Sequence, residues 1–157
     1  MQGDTRLRLA NASDLDAVAE LTREAYAPYT ALLGAAPLPV GEDYVPRIAA
    51  GEVWLLEGAG AGRLVGLLVL ERHPGHALIY SVAVAPGRQG EGHGSALLRA
   101  AEAKAREWGV AEVRLYTNAR MERNIALYAA KGYRETARRP HPLRPGFTVV
   151  DMAKPVG

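Results

Sequence analysis

The segment that most limits what this chain can become runs from Val82 to Leu98. Val82-Ala83-Val84-Ala85-Pro86-Gly87-Arg88-Gln89-Gly90-Glu91-Gly92-His93-Gly94-Ser95-Ala96-Leu97-Leu98 reads as a strand, a tight glycine-rich turn, then a helix. Glycine at 90, 92 and 94 removes every second side chain, so backbone N–H groups can converge on one point. The helix start adds its own unpaired N–H groups and the positive end of its dipole. An anion belongs there, and a pyrophosphate fits best. A plain glycine turn before a helix shares this pattern, so the glycines alone do not decide the matter. A P-loop would end in Gly-Lys-Ser/Thr, and here Gly94-Ser95 stand without a lysine. A Rossmann fingerprint would open the fold on its first strand, with an acidic residue closing the second. This turn follows the fourth strand, and the next strand ends in Tyr116-Thr117-Asn118.

The surrounding pattern predicts an alternation of strands and helices. Arg6 to Ala10 alternates as a short strand. Ser13 reads as a helix cap answered by Asp16, and Leu15, Val18, Ala19, Thr22 and Tyr26 follow at helical spacing until Pro28 ends the run. Residues 29–41 read as a loop, and 42–50 as a short helix stopped by Gly51. Strands are expected at 53–57, 65–71 and 76–84, joined by Gly60-Ala61-Gly62 and His73-Pro74-Gly75 into an antiparallel meander. A helix over 93–108 places Leu97, Leu98, Ala101, Ala105 and Trp108 on one side and closes at Gly109. A strand at 112–117, a helix at 119–131 closed by Gly132, and strands at 133–137 and 148–153 complete the chain. The order β-α-α-β-β-β-α-β-α-β-β implies an α/β (α+β) fold, with helices on the faces of a mixed sheet.

A second motif lies one helix and one strand after the first: Asn118-Ala119-Arg120-Met121-Glu122-Arg123-Asn124-Ile125-Ala126-Leu127-Tyr128-Ala129-Ala130-Lys131-Gly132-Tyr133. Gln89-Gly90-Glu91-Gly92-His93-Gly94 resembles the Gln/Arg-x-x-Gly-x-Gly/Ala signature of the GNAT N-acetyltransferases. The second motif resembles that family's Asn-x-x-Leu-Tyr followed by Gly-Tyr/Phe. The element order resembles the GNAT fold over essentially the whole chain, least so at residues 27–52, where the family itself varies. The resemblance implies a mostly antiparallel mixed sheet of about seven strands flanked by four helices, and one N-acetyltransferase domain over 1–157. It implies acetyl-CoA as cofactor, with the pyrophosphate on Gln89, Gly90, Gly92, His93, Gly94 and Ser95, and the pantetheine arm along the backbone of Val82 and Val84. It also implies that Asn124 contacts the cofactor and that the Tyr128 hydroxyl lies near the thioester sulfur. Asn124 and Tyr128 are four apart and share a helix face. A phenol can hand the departing sulfur a proton, although an aromatic at this spacing also suits a core. The Val84 N–H would meet the developing oxyanion.

Some members use a glutamate as general base on the third meander strand, and by spacing Leu78 stands at that place here. Tyr80 and Ser81 are poor bases, though Ser81 could position a water; Glu71, His73 and His76 read as exposed turn chemistry, and a water chain would suffice. Tyr26, Tyr29, Tyr44, His141 and Phe147 fall where the family admits its acceptor, or serve as packing. The acceptor would be a primary amine of a small molecule, an amino acid or a peptide. The last strands often build dimers in the family, which allows a homodimer.

Composition removes several alternatives. No cysteine is present, so disulfides, thiolate metal sites and cysteine nucleophiles are excluded, and no metal is expected. Lys and Arg number 19 against 17 Asp and Glu, an excess too small to argue for nucleic acid. Arg134, Arg138, Arg139 and Arg144 form the one basic run, read as solvated surface rather than an anion site. No apolar run would span a bilayer and no signal peptide is visible, so a soluble cytoplasmic protein is expected. Two rivals remain: an acyl-CoA-binding sensor on the same fold, which would keep the turn and lose the tyrosine, and an unrelated nucleotide-binding domain.

Overall fold

The computed structural model describes residues 5–58 and 63–157; the expected turn at Gly60-Ala61-Gly62 lies outside them. Among the described residues there are seven strands and four α-helices: β1 (Arg6–Leu9), α1 (Leu15–Leu33), α2 (Val45–Ala49), β2 (Val53–Glu57), β3 (Leu64–His73), β4 (His76–Val84), α3 (His93–Trp108), β5 (Glu112–Asn118), α4 (Glu122–Ala130), β6 (Arg134–Pro140) and β7 (Thr148–Pro155). The strands form one mixed sheet in the order β1-β2-β3-β4-β5-β7-β6. The chain divides into two compact units; the first takes the chain to Glu71 together with Tyr80–Ala100, the second Arg72–Ile79 with Ala101–Gly157.

In the first unit β1 and β3 both pair antiparallel with β2. β3 is buried without a break from Val65 to Leu70, which explains its continuous apolar run: both faces are covered. Val18 and Leu21 of α1 pack in one core with Val53, Leu55, Leu67, Val69, Ala83 and Tyr44. Gly66 is a point of close approach. A Cβ there would stand 3.0 Å from the Ala83 carbonyl oxygen and 3.0 Å from Leu97 Cδ1.

Two expectations for α1 are corrected. The cap is Asn11 rather than Ser13, and Asp14 rather than Asp16 closes a reciprocal capping box, through a short 3₁₀ turn at Ala12–Asp14 that leads into the helix. The helix also passes through Pro28 and ends at Gly34, whose φ of 74° supplies the left-handed close. Proline removes one i→i−4 bond, but buried residues on both sides of it, Leu21 and Thr22 before and Leu33 after, hold the helix together. The expected loop at 29–41 therefore shrinks, and includes a 3₁₀ turn at Leu38–Gly41.

In the second unit the N-terminal half of β4 runs parallel to β5, from His76 opposite Glu112 to Ile79 opposite Leu115. β7 lies antiparallel between β5 and β6. β6 is exposed along its whole length and its register slips between Glu135 and Ala137, a bulge that suits an edge strand. Arg138 pairs with Glu135 and Arg139 with Asp151, in keeping with the solvated reading of the basic run. The carboxylate of Glu102 on α3 is buried, and accepts from the Tyr133 hydroxyl at 3.1 Å and from Lys154 Nζ at 3.0 Å. Burial, with the Glu102 charge behind it, pushes the Tyr133 phenol well above its ordinary pKa.

Candidate active site

The end of β4 and the start of α3 belong to one unit and frame the glycine turn. Gly87, Gly90 and Gly92 take φ of 84°, 81° and 87°, and among the described residues only glycines have positive φ. Between Gln89 and His93 the sign of φ therefore alternates, the geometry that turns successive N–H groups toward one concavity. The first i→i−4 bond at this end of α3 runs from the Ala96 N–H to the Gly92 carbonyl. The amides of His93, Gly94 and Ser95 precede it and have no intrahelical acceptor. Gly94 lies against the end of β4: a Cβ there would meet Val84 Cγ2 at 3.8 Å. This donor set suits a diphosphate, which is the test a coenzyme A site must pass.

The side chains of the turn are themselves linked. Arg88 Nε donates to Glu91 Oε1 at 3.0 Å, and His93 Nε2 meets the same oxygen at 2.9 Å. Bonds from Arg88 first and His93 second hold the Glu91 carboxyl below its usual range.

β4 alternates buried and partly exposed residues, with Leu78, Tyr80, Val82 and Val84 on the more open side. Leu78, expected at the place of the family glutamate, lies on that more open side. The polar groups lie one step on. The Tyr80 hydroxyl donates to Glu42 Oε1 at 3.1 Å, and the Ser81 and Tyr26 hydroxyls are 3.2 Å apart. Arg47 of α2 bonds Glu42 at 2.7 Å, Glu52 at 2.9 Å and Glu71 at 2.8 Å, and stacks on the Tyr80 ring at 3.9 Å. Burial works against the charged guanidinium, but the bonds to Glu42 and Glu71 overcome it and raise its pKa. Glu71 is thus a partner in a half-buried ionic group rather than exposed turn chemistry. No sequence signal marks this group, because Glu42, Arg47, Glu52, Glu71 and Tyr80 share no helix or strand period.

The remaining aromatics separate by role. Tyr44 is 1% exposed in the core with its hydroxyl on the Pro39 carbonyl, so it packs rather than lines a pocket. Tyr29 lies beside Tyr26 at 6.4 Å between ring centroids. His141 Nδ1 accepts from the N–H groups of Leu143 and Arg144, and so shapes the β6–β7 loop; burial, then Arg144 and Arg139, depress its pKa. Arg120 lies over the Phe147 ring at 5.1 Å. His73 and His76 stack at 4.9 Å, and burial lowers the His76 pKa.

In the second unit Asn124 and Tyr128 lie half-buried on α4, one turn apart. The Tyr128 ring meets the Tyr133 ring edge-on at 6.1 Å. α4 begins at Glu122, three residues later than expected, because Asn118–Met121 form a turn in which Asn118 Oδ1 accepts from the Arg120 N–H. Among the described residues no group of His, Asp and Glu could hold a metal ion, and no helix is long and apolar enough to cross a membrane.

Residues 17–133 match the model of the acetyltransferase (GNAT) family. No curated protein matches the chain significantly. Solved structures with the same fold include the ribosomal-protein-S18-alanine N-acetyltransferase of Escherichia coli, with a TM-score of 0.73 and 22% identity over 98% of this chain and 95% of that one. The PaiA N-acetyltransferase of Thermoplasma acidophilum, in complex with coenzyme A, has a TM-score of 0.76 and 19% identity over 97% and 99%. The yncA protein of Salmonella typhimurium, with its cofactor acetyl-CoA, has a TM-score of 0.71 and 21% identity over 98% and 95%.

Proposed function

Because the chain belongs to the GNAT acetyltransferase family, and is an acyltransferase that uses acetyl-CoA, we propose that it moves the acetyl group directly to a primary amine of a small molecule, amino acid or peptide. The observation that carries this reading is the turn of alternating φ at Gln89–His93, which leads from β4 into α3. We read residues 1–157 as one N-acetyltransferase domain.

In this reading Gln89, Gly90, Gly92, His93, Gly94 and Ser95 hold the diphosphate, and the backbone of Val82 and Val84 holds the pantetheine arm. Acetyl-CoA supplies an activated thioester. The Val84 N–H is offered to the acetyl oxygen as negative charge builds there. Tyr128 gives a proton to the departing sulfur, and Asn124 orients the cofactor from the preceding turn of α4. The acceptor must lose its proton before it attacks. The Tyr80 hydroxyl is the first polar group upstream of Val82 on the open side of β4 and is already bonded to Glu42, so it supports a proton path to solvent in place of a glutamate on the strand, whereas Ser81 is buried against Tyr26.

Titration with acetyl-CoA tests the class. At a hundred times Kd it stabilises the protein by about 2.7 kcal/mol, while ATP and NAD leave the melting point where it was. Thiol release across a panel of amines, amino acids and short peptides then identifies the acceptor. Stabilisation by ATP or NAD alone would contradict the assignment.

A further inference from the structure

The turn proposed to receive a diphosphate carries an acid of its own. Glu91 lies between Gly90 and Gly92, and one of its oxygens holds both the Arg88 guanidinium and the His93 ring. The three side chains differ in access: His93 is 7% exposed, Arg88 30% and Glu91 44%. The arginine is thus committed to a carboxylate beside the converging amides, and its outer nitrogens lie 3.7 and 3.8 Å from where a Cβ on Gly58 would stand. A fixed negative charge at an anion site opposes the ligand, and a cation bonded to it is withheld from the ligand.

We propose that Glu91 is a built-in counter-anion of the cofactor turn, which holds Arg88 in the free enzyme and yields it to a phosphate of coenzyme A on binding, so that Glu91 sets cofactor affinity. The inference rests on the reading of the turn as a coenzyme A site. His93 stays on the carboxylate, because it is buried and close to α3, whereas the more exposed Arg88 is free to swing. In the exchange an Arg88–carboxylate pair is replaced by an Arg88–phosphate pair, and the hydrogen bond between His93 and Glu91 remains.

The test is calorimetric binding of coenzyme A and of its 3′-dephospho form, without turnover. Glu91→Gln releases Arg88 and removes the repulsion, so coenzyme A binds roughly three- to tenfold tighter at low salt, with a smaller gain at high salt. In an Arg88→Gln background the same change gains distinctly less, because it relieves only the repulsion and there is no cation left to release. If the gain persists with dephospho-coenzyme A, the diphosphate takes Arg88; if it vanishes, the 3′-phosphate does. Weaker or unchanged binding by Glu91→Gln overturns the proposal, as does an equal gain with Arg88 absent, which would reveal simple repulsion. A wild type that binds no coenzyme A overturns the site reading as well, and is told apart because the defect then precedes any substitution. Both residues lie at the surface of a turn, and melting curves of each variant confirm that it is folded.

Discussion

Replacing Gly90 by alanine separates the backbone of the turn from everything else it could contribute. Gly90 has φ of 81°, and a Cβ built there meets no atom within 4 Å. The added methyl therefore clashes with nothing; the cost is that of holding an L-residue in left-handed backbone, about 1–2 kcal/mol. The turn relaxes away from that geometry in the free protein and must regain it to present its amides. A penalty of that size, paid on binding, raises Kd for coenzyme A about 5- to 30-fold. Affinity is a cleaner readout than stability here, since alanine also narrows the unfolded ensemble and recovers about 0.4–1 kcal/mol. Gly75 provides the control. It has φ of 83° and equally open surroundings, but lies in the turn between β3 and β4. Gly75→Ala should cost at most about 2 kcal/mol of stability and leave coenzyme A binding unchanged. Calorimetry on both variants decides the matter. If Gly90→Ala binds within twofold of the wild type, main-chain amides at this turn do not hold the cofactor.

Gly66→Ala is the opposite case, ordinary backbone with no room. Its Cβ would press on the Ala83 carbonyl, which cannot yield, and the cost is about 1–3 kcal/mol by urea unfolding; unchanged stability would refute the close approach. Asp14 is held below its ordinary pKa, first by the bond from Arg8. Its contribution is therefore complete above the ordinary aspartate range and fades as pH falls through the native value. Asp14→Asn should cost about 1 kcal/mol near pH 7 and less near pH 3, and an equal loss at both would contradict the assignment. Tyr128→Phe keeps the edge contact with Tyr133 and loses the proton donor, so kcat falls at least about tenfold while coenzyme A affinity holds; an unchanged kcat removes Tyr128 from the chemistry.

The element order, the site of the glycine turn and the faces of α3 were legible in the sequence because each is governed by residues close in the chain. Period-2 and period-3.6 patterns mark strands and helices directly, and Leu97, Leu98, Ala101 and Ala105 are indeed buried. Of the alternate glycines 90, 92 and 94, the first two take left-handed backbone, which other residues rarely adopt, and Gly94 already lies in α3. Where local rules misled, packing overruled them. Pro28 should end a helix, yet α1 runs on to Leu33, because buried side chains either side of the proline outweigh one missing bond. Only the tertiary structure could gather Glu42, Arg47, Glu52, Glu71 and Tyr80, or bring Tyr133 and Lys154 to Glu102. Such groups include contacts 24 to 52 positions apart, and Coulomb attraction and hydrogen bonding depend on distance through space rather than on spacing along the chain. The sequence by itself determined where a glycine turn joins a strand to a helix, because that depends on neighbouring residues; the fold decided which charged side chains surround that turn and which lie buried elsewhere, because those meet only through space.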